Sequence, residues 1–277
     1  MKNKIWFITG ISSGLGEALA QTVIEQGDFV IGTFRRKSQA DAFNNLHKNK
    51  AFALTLDITN PIEIEYVFEI VKEKFGKIDV LINNAGFGFA GAIEETSVKE
   101  VREVFEANFF GTLQVTQAAL PIFRKQKYGH IIQISSHGGF KAFQGFGIYN
   151  ASKFALEGFS EALAIEVEPL GIKVTIVEPG PFRTNFVGNA FKEAEAVITD
   201  YNETAGEFRK RMKAVDGKQE GDPLRAAEAI LAISNLENPP LRLPLGKIAI
   251  ASITAKINSV IKDLNEFRTV AENAVYE

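Results

Sequence analysis

Tyr149 and Lys153 bound the stretch Tyr149-Asn150-Ala151-Ser152-Lys153, four positions apart. On a helix that spacing puts both side chains on one face, one turn from each other. A free phenol ionises at about pH 10 and exchanges protons poorly near neutrality. A lysine ammonium one turn away favours the phenolate and draws its ionisation toward the working range. The pair reads as a general acid/base, although the same residues also suit an exposed helix face. Ser135-Ser136 follows the apolar run Ile131–Ile134, and a hydroxyl at such a strand end can point into a cleft and bond a substrate oxygen. Asn108 interrupts a long helical pattern. Asparagine is a poor helix former, so it marks either a local kink or a functional polar group.

The N-terminal third carries residues suited to a dinucleotide. Thr9-Gly10-Ile11-Ser12-Ser13-Gly14-Leu15-Gly16 joins the first apolar run to the first helical pattern. Glycines there let the backbone approach a pyrophosphate at a helix N-terminus, though the Gly-x-x-x-Gly-x-Gly spacing departs from Gly-x-Gly-x-x-Gly. The second apolar run ends in Thr33-Phe34-Arg35-Arg36-Lys37, with no acid. An acid at that place grips a ribose 2′-OH, whereas an arginine accommodates a 2′-phosphate. The expected cofactor is therefore NADP(H) in preference to NAD(H), with Arg35 as the main phosphate contact and Arg36 in support. Asp57 follows the third run and could meet an adenine amino group, or cap the helix that starts near Asn60-Pro61. Asn83-Asn84-Ala85-Gly86 is a small-residue turn after the fourth run, where open α/β sheets bind ligands.

The elements that would position these groups follow from the pattern. Short β-branched runs at Ile5–Thr9, Phe29–Thr33, Phe52–Leu56, Val80–Ile82, Ile131–Ile134 and Val174–Val177 read as buried strands. Helical patterns lie around Leu15–Gln26, Gln39–His47, Ile62–Phe75, Val98–Arg124 and Tyr149–Glu168. Such alternation implies parallel strands with helices on both faces. No linker or repeat divides the chain, so residues 1–277 read as one domain. After Thr184 the sequence speaks less clearly. Phe186–Asp222 has helical periodicity broken by Gly188, Gly206 and Gly217. Pro223–Asn235 reads as a helix, Leu241–Leu243 as a last strand, and Ile248–Val275 as an amphipathic helix docked on the body or on a second subunit.

Composition narrows the function. The 277 residues carry a formal net charge of -3, which disfavours a nucleic-acid partner because a polyanion needs a basic face. There is no cysteine, which excludes disulfides and thiol chemistry. No apolar run approaches a membrane span, so a soluble, cytoplasmic protein without a membrane partner is expected. His47, His130 and His137 lack metal-ligand spacing, so no metal is expected. The count of 23 phenylalanines is high, and Phe87, Phe89, Phe140, Phe143, Phe146 and Phe186 fall at the edges of the expected cleft. They would make an apolar pocket for a hydrophobic carbonyl or alcohol.

Taken together, Thr9-Gly10-x-x-x-Gly14-x-Gly16, Asn83-Asn84-Ala85-Gly86, Asn108, Ser136, Tyr149-x-x-x-Lys153 and Pro179-Gly180 resemble the short-chain dehydrogenase/reductase family in its compact form. Ser136 stands thirteen positions before Tyr149, the family's usual interval, and Ser135 falls one position off. The resemblance implies a single-domain Rossmann fold, a doubly wound parallel sheet of about seven strands with helices on both faces. By the same resemblance Tyr149 would exchange the proton of the carbonyl or alcohol, and Lys153 would lower its pKa and bond the nicotinamide ribose. Ser136 would orient the substrate oxygen, and Asn108 would hold a proton-relaying water. Gly10, Ser12, Ser13, Leu15 and Gly16 would surround the pyrophosphate and adenosine ribose, Asp57 the adenine, and Asn84 the nicotinamide-side ribose, with Gly14, Ile58, Ala85 and Gly86 also contacting the cofactor. Pro179, Gly180, Phe182 and Thr184 would line the nicotinamide. The segment at about 185–222 would cover the substrate, and a homodimer or homotetramer would form through the helices holding Asn108 and Tyr149. Glu178–Thr184 and Leu241–Lys247 look like the 17β-hydroxysteroid-dehydrogenase-like and retinol-dehydrogenase-like branch. The implied activity is NADP-dependent interconversion of a carbonyl and an alcohol on a small apolar substrate. A catalytically silent NADP sensor on the same fold is the competing reading, and a sugar-nucleotide epimerase or dehydratase is disfavoured by the modest length.

Overall fold

A computed structural model describes residues 3–276. The chain begins with β1 (Ile5–Ile8), α1 (Gly14–Glu25), β2 (Phe29–Phe34), α2 (Lys37–Leu46), β3 (Ala51–Thr55), α3 (Pro61–Lys74) and β4 (Val80–Asn83). It continues through β5 (Gly88–Ala90), α4 (Val98–Phe105), α5 (Thr112–Gln126), β6 (Gly129–Ile134), α6 (Gly147–Val167) and β7 (Ile172–Pro179). The last part holds α7 (Phe186–Asn189), β8 (Phe191–Glu193), α8 (Glu207–Val215), α9 (Pro223–Ser234), β9 (Arg242–Leu245), α10 (Lys247–Glu266) and α11 (Arg268–Glu272).

Seven strands form one parallel sheet in the order β3-β2-β1-β4-β6-β7-β9. Strands such as Ile5–Ile8 and Val80–Asn83 are almost wholly buried because helices cover both faces, which is why they read as continuous apolar runs. On one face Trp6, Ile8, Ile82 and Ile132 pack with Leu19 and Val23 of α1 and Ile230 of α9. On the other, Phe7, Leu81 and Ile131 pack with Val71 of α3, Val115 of α5 and Leu163 of α6. Local chemistry sets the helix starts. Asn60 caps α3 with Pro61 behind it, Asp222 caps α9 with Pro223 behind it, and Ser97 and Glu100 form a reciprocal capping box on α4. Strand order reverses between β1 and β4, and that switch point opens a crevice at the strands' carboxyl ends.

Three expectations are corrected. The pattern Val98–Arg124 is not one helix: a π-helical segment, Glu106–Gly111, separates α4 from α5 and carries Asn108. Gly111 at its end lies so close to Ile58 O that a Cβ would meet it at 2.6 Å, so glycine allows that approach. The segment Phe186–Asp222 is not simply helical. It gives α7, the short strand β8 paired in parallel with β5, a 3-10 turn, a π turn and α8. Ile248–Val275 breaks at Phe267, and only the first turns of α10 dock, through buried Ala249 and Ile253, while Ile257, Ile261 and Leu264 stand exposed. Among the described residues no helix is long and apolar enough to cross a membrane.

Candidate active site

Residues immediately after β1, β2, β3, β4, β6 and β7 line one cleft of about 1620 Å³. Of the expected catalytic and cofactor-binding residues, all but Gly16 and Asn108 line it. Those two sit directly behind its wall.

At the β1 end, the glycine loop is held by side chains. Gly10 and Gly14 have φ of 69° and 63°, which favour glycine. Asn84 Nδ2 donates to Thr9 O at 3.0 Å and Gly10 O at 2.9 Å, and Thr9 Oγ1 accepts from the Asn84 and Ala85 amides. A Cβ on Gly16 would run into Gly10 O and Asn84 Nδ2, so only glycine fits. Asn84 thus clamps the loop with its amide nitrogen. Ser13 occupies the N-cap of α1 without a side-chain cap hydrogen bond, and Ser13, Gly14 and Leu15 at the helix N-terminus line the cleft. A dinucleotide pyrophosphate fits such a cradle. Arg35 and Arg36 follow β2 at the cleft's edge, both exposed, and neither joins an ion pair among the described residues. Asp57 Oδ1 accepts from Thr59 N at 3.0 Å and Thr59 Oγ1 at 2.8 Å, closing its own turn, while Asn60 is the cap of α3.

At the β6 end the chemistry-bearing groups converge. Tyr149 is buried, its ring stacked on Phe146 at 4.2 Å between centroids, with Phe186 edge-on at 6.2 Å. Burial pushes the phenol up to about 12, and the Ser136 hydroxyl opposes that rise. Burial is thus the largest influence on the phenol. Lys153 Nζ lies 6.0 Å from the Tyr149 ring centroid and donates to Ile134 O at 2.8 Å. Burial brings the ammonium down to about 8, with Glu157 acting against it. Ser136 Oγ accepts from Gly138 N at 3.0 Å.

Asn108 has no exposed surface. Its Oδ1 accepts from Phe87 N, and its Nδ2 donates to Phe87 O and to Ser152 Oγ at 3.2 Å. All its polar atoms are thus engaged, so it ties the π segment to α6 directly. A Cβ on Gly86 would stand 2.9 Å from Asn108 Oδ1 and 3.9 Å from Lys153 Nζ, so glycine keeps the space between them open.

Sequence reasoning missed Asn150. Its Nδ2 donates to Gly138 O at 2.8 Å and its Oδ1 accepts from Phe143 N at 2.9 Å, which fixes the loop after Ser136 against α6. Only its burial identifies it, and spacing carried no signal. Phe191, Phe208 and Met212 of the segment after Thr184 also line the cleft, beside the expected Phe87, Phe143, Phe146 and Phe186. Phe89 is core instead, and Phe140 lies under the Arg242 guanidinium at 5.1 Å. His137, at the cleft wall, pairs its Nδ1 with Ser252 Oγ of α10 at 3.0 Å. Thr184 Oγ1 accepts from Phe186 N at 3.3 Å and its side chain abuts Gly14.

Residues 4–195 match the family described as short chain dehydrogenase. Over 266 residues the chain is 39% identical to the 3-ketodihydrosphingosine reductase of Bacteroides thetaiotaomicron, covering 95% of each. It is 40% identical to the oxidoreductase BOA17 of Botryotinia fuckeliana over 89% of this chain and 90% of that one. A crystal structure of a short-chain dehydrogenase from Streptomyces avermitilis superposes with a TM-score of 0.93 at 42% identity, covering 99% of both chains.

Proposed function

The chain belongs to the short-chain dehydrogenase/reductase family and is an oxidoreductase of that type, and from that premise we propose that it reduces a keto group on an apolar chain with NADPH. The observation that carries this reading is one cleft holding two different ends. One end has the glycine cradle and two arginines free of ion pairs among the described residues; the other has Tyr149, Lys153 and Ser136 under phenylalanines.

The cofactor supplies or accepts the hydride. Gly10, Ser12, Ser13, Gly14 and Leu15 would hold its pyrophosphate, with Gly16 behind them, Asp57 and Ile58 its adenine, and Arg35 with Arg36 a 2′-phosphate. Ala85, Gly86, Pro179, Gly180, Phe182 and Thr184 would flank the nicotinamide half. Tyr149 gives its proton to the carbonyl oxygen, which Ser136 orients, and Lys153 steadies the charge left on the phenolate. Phe146, Phe186, Phe191, Phe208 and Met212 exclude water and take the apolar chain. The segment 185–222 covers that chain. The Bacteroides relative is a 3-ketodihydrosphingosine reductase, so a long-chain 3-keto compound is the substrate to try first. Exposed Phe110 and Phe154, on the elements holding Asn108 and Tyr149, suit a homodimer or homotetramer.

The test is a panel of 3-keto compounds with increasing alkyl length, each with NADPH and NADH. The expected result is kcat/KM rising with chain length, and an NADPH preference that falls at least about tenfold in Arg35→Ala as the 2′-phosphate contact is lost. A preference unchanged in that variant removes the arginine assignment; reduction of none of the compounds with either cofactor removes the substrate class.

A further inference from the structure

Behind Lys153, on the side away from Tyr149, lies a group of charges that the reaction as described does not use. Lys153 is 6% exposed, and its Nζ makes one hydrogen bond, to the Ile134 carbonyl. No carboxylate pairs with it directly among the described residues. A buried ammonium held by a single neutral acceptor tends to lose its proton.

One helical turn further along α6 stands Glu157, 5% exposed. Its Oε2 accepts from Arg242 Nη1, which reaches in from β9. The same nitrogen donates to Glu178 Oε1 at the end of β7, and Nη2 donates to Glu161 Oε1 at 2.6 Å on α6. Among the described residues, the other oxygens of the two buried acids, Glu157 Oε1 and Glu178 Oε2, have no hydrogen-bond partner, and neither does Ser135 Oγ. Ser135 Oγ and Glu157 Oε1 flank one point: a Cβ on Gly139 would lie 2.5 Å from the first and 3.0 Å from the second. The end of β6 therefore serves three groups in succession. The Ile134 carbonyl binds Lys153, Ser135 faces Glu157, and Ser136 acts on Tyr149.

Resting on the reading of Tyr149 and Lys153 as the acid/base pair, we propose that Glu157 is a positioning residue that keeps Lys153 positively charged, and that Arg242 holds it there. Three carboxylates on one guanidinium leave the cluster with surplus negative charge when all are ionised. Glu157, the member of the cluster one turn from Lys153, is buried, so water screens its charge little, whereas Glu161 is half-exposed. The groups facing Glu157 are Lys153 and Glu161 on its own helix, Ser135 at the end of β6, Glu178 from β7 and Arg242 from β9. Burial raises Glu178 to about 7, with Glu157 beside it adding to the rise and Arg242 opposing it. Burial raises Glu157 as well, with Ser135 and Arg242 opposing the rise, and Glu157 is the acid whose charge acts on Lys153.

The experiment reads the lysine directly. Protein labelled with 15N-lysine is titrated, and the Lys153 Nζ signal, assigned with Lys153→Arg, is followed in wild type and Glu157→Gln. Glutamine keeps the shape and an acceptor for Arg242 but removes the charge. The Lys153 midpoint is expected to fall by about one pH unit, a tenfold change, in the variant. The alkaline limb of kcat for reduction moves down with it, and Glu157→Asp restores part of both. Glu161→Gln, half-exposed and a turn further off, moves the midpoint less. A midpoint in Glu157→Gln equal to wild type, with thermal stability lowered and activity reduced equally at every pH, assigns Glu157 to a structural staple and overturns the proposal. The nitrogen titration needs no turnover. If no carbonyl is reduced, the functional reading fails while the titration still decides the role of Glu157.

Discussion

Tyr149 shows how one residue's surroundings set its chemistry. Stacked on Phe146 and sealed from water, its phenol is raised to about 12 and keeps its proton across the neutral range. A group that must deliver a proton to a carbonyl benefits from holding one, and the hydrogen bond to the developing charge strengthens only as the reaction proceeds. Tyr149→Phe removes the proton while keeping the ring stack. Turnover in reduction is expected to drop by about 100-fold or more, with NADPH affinity within about twofold of wild type. Ligand-binding fluorescence beside steady-state rates checks both parts. Retention of most of the activity would assign the acid role elsewhere.

At the scale of elements, the segment after Thr184 is pinned by one buried ion pair. Arg209 of α8 reaches Glu95, whose side chain is fully buried, and Glu95 also accepts from the Ala92 and Ile198 amides. The neighbours of Arg209 along α8, Phe208 and Met212, line the apolar end of the cleft. Removing the arginine leaves a buried carboxylate without its cation, which costs about 3–5 kcal/mol locally. Arg209→Met is therefore expected to loosen α8. The KM for a long-chain substrate rises several-fold, NADPH affinity is unchanged, and limited proteolysis cuts within residues 199–222. A variant with unaltered KM and protease resistance would show that packing alone holds the segment.

For the whole molecule, acid pH is the weak side. His130 is buried in β6 against Thr175, and burial first, then Lys173 and Lys4, lowers it to about 3. The unfolded chain takes up that proton near pH 6.5, whereas the folded one refuses it. Stability is thus lost as pH falls from 6.5 toward 3, by about 2 kcal/mol at pH 5 from this residue. The melting temperature is expected to decline across that window, and His130→Gln to flatten the decline. An equal slope in the variant would place the acid sensitivity elsewhere.

Much of this was legible before folding. Buried parallel strands must be continuous apolar runs, and helices covering them must be amphipathic, so the alternation declared the doubly wound sheet. The glycine loop and the pair Tyr149 and Lys153 were readable because each is set by local geometry, a turn or one helical step. What only the tertiary structure decided depends on contacts far apart in sequence. The π turn sets Asn108 against Phe87 and Ser152, and the broken segment after Thr184 folds onto β5 and Glu95. The acid one turn from Lys153, Glu157, is held by Arg242, 85 positions further along the chain. The direction of the Tyr149 pKa is likewise a tertiary property, because desolvation depends on everything packed around a group and one neighbour on its helix does not settle it.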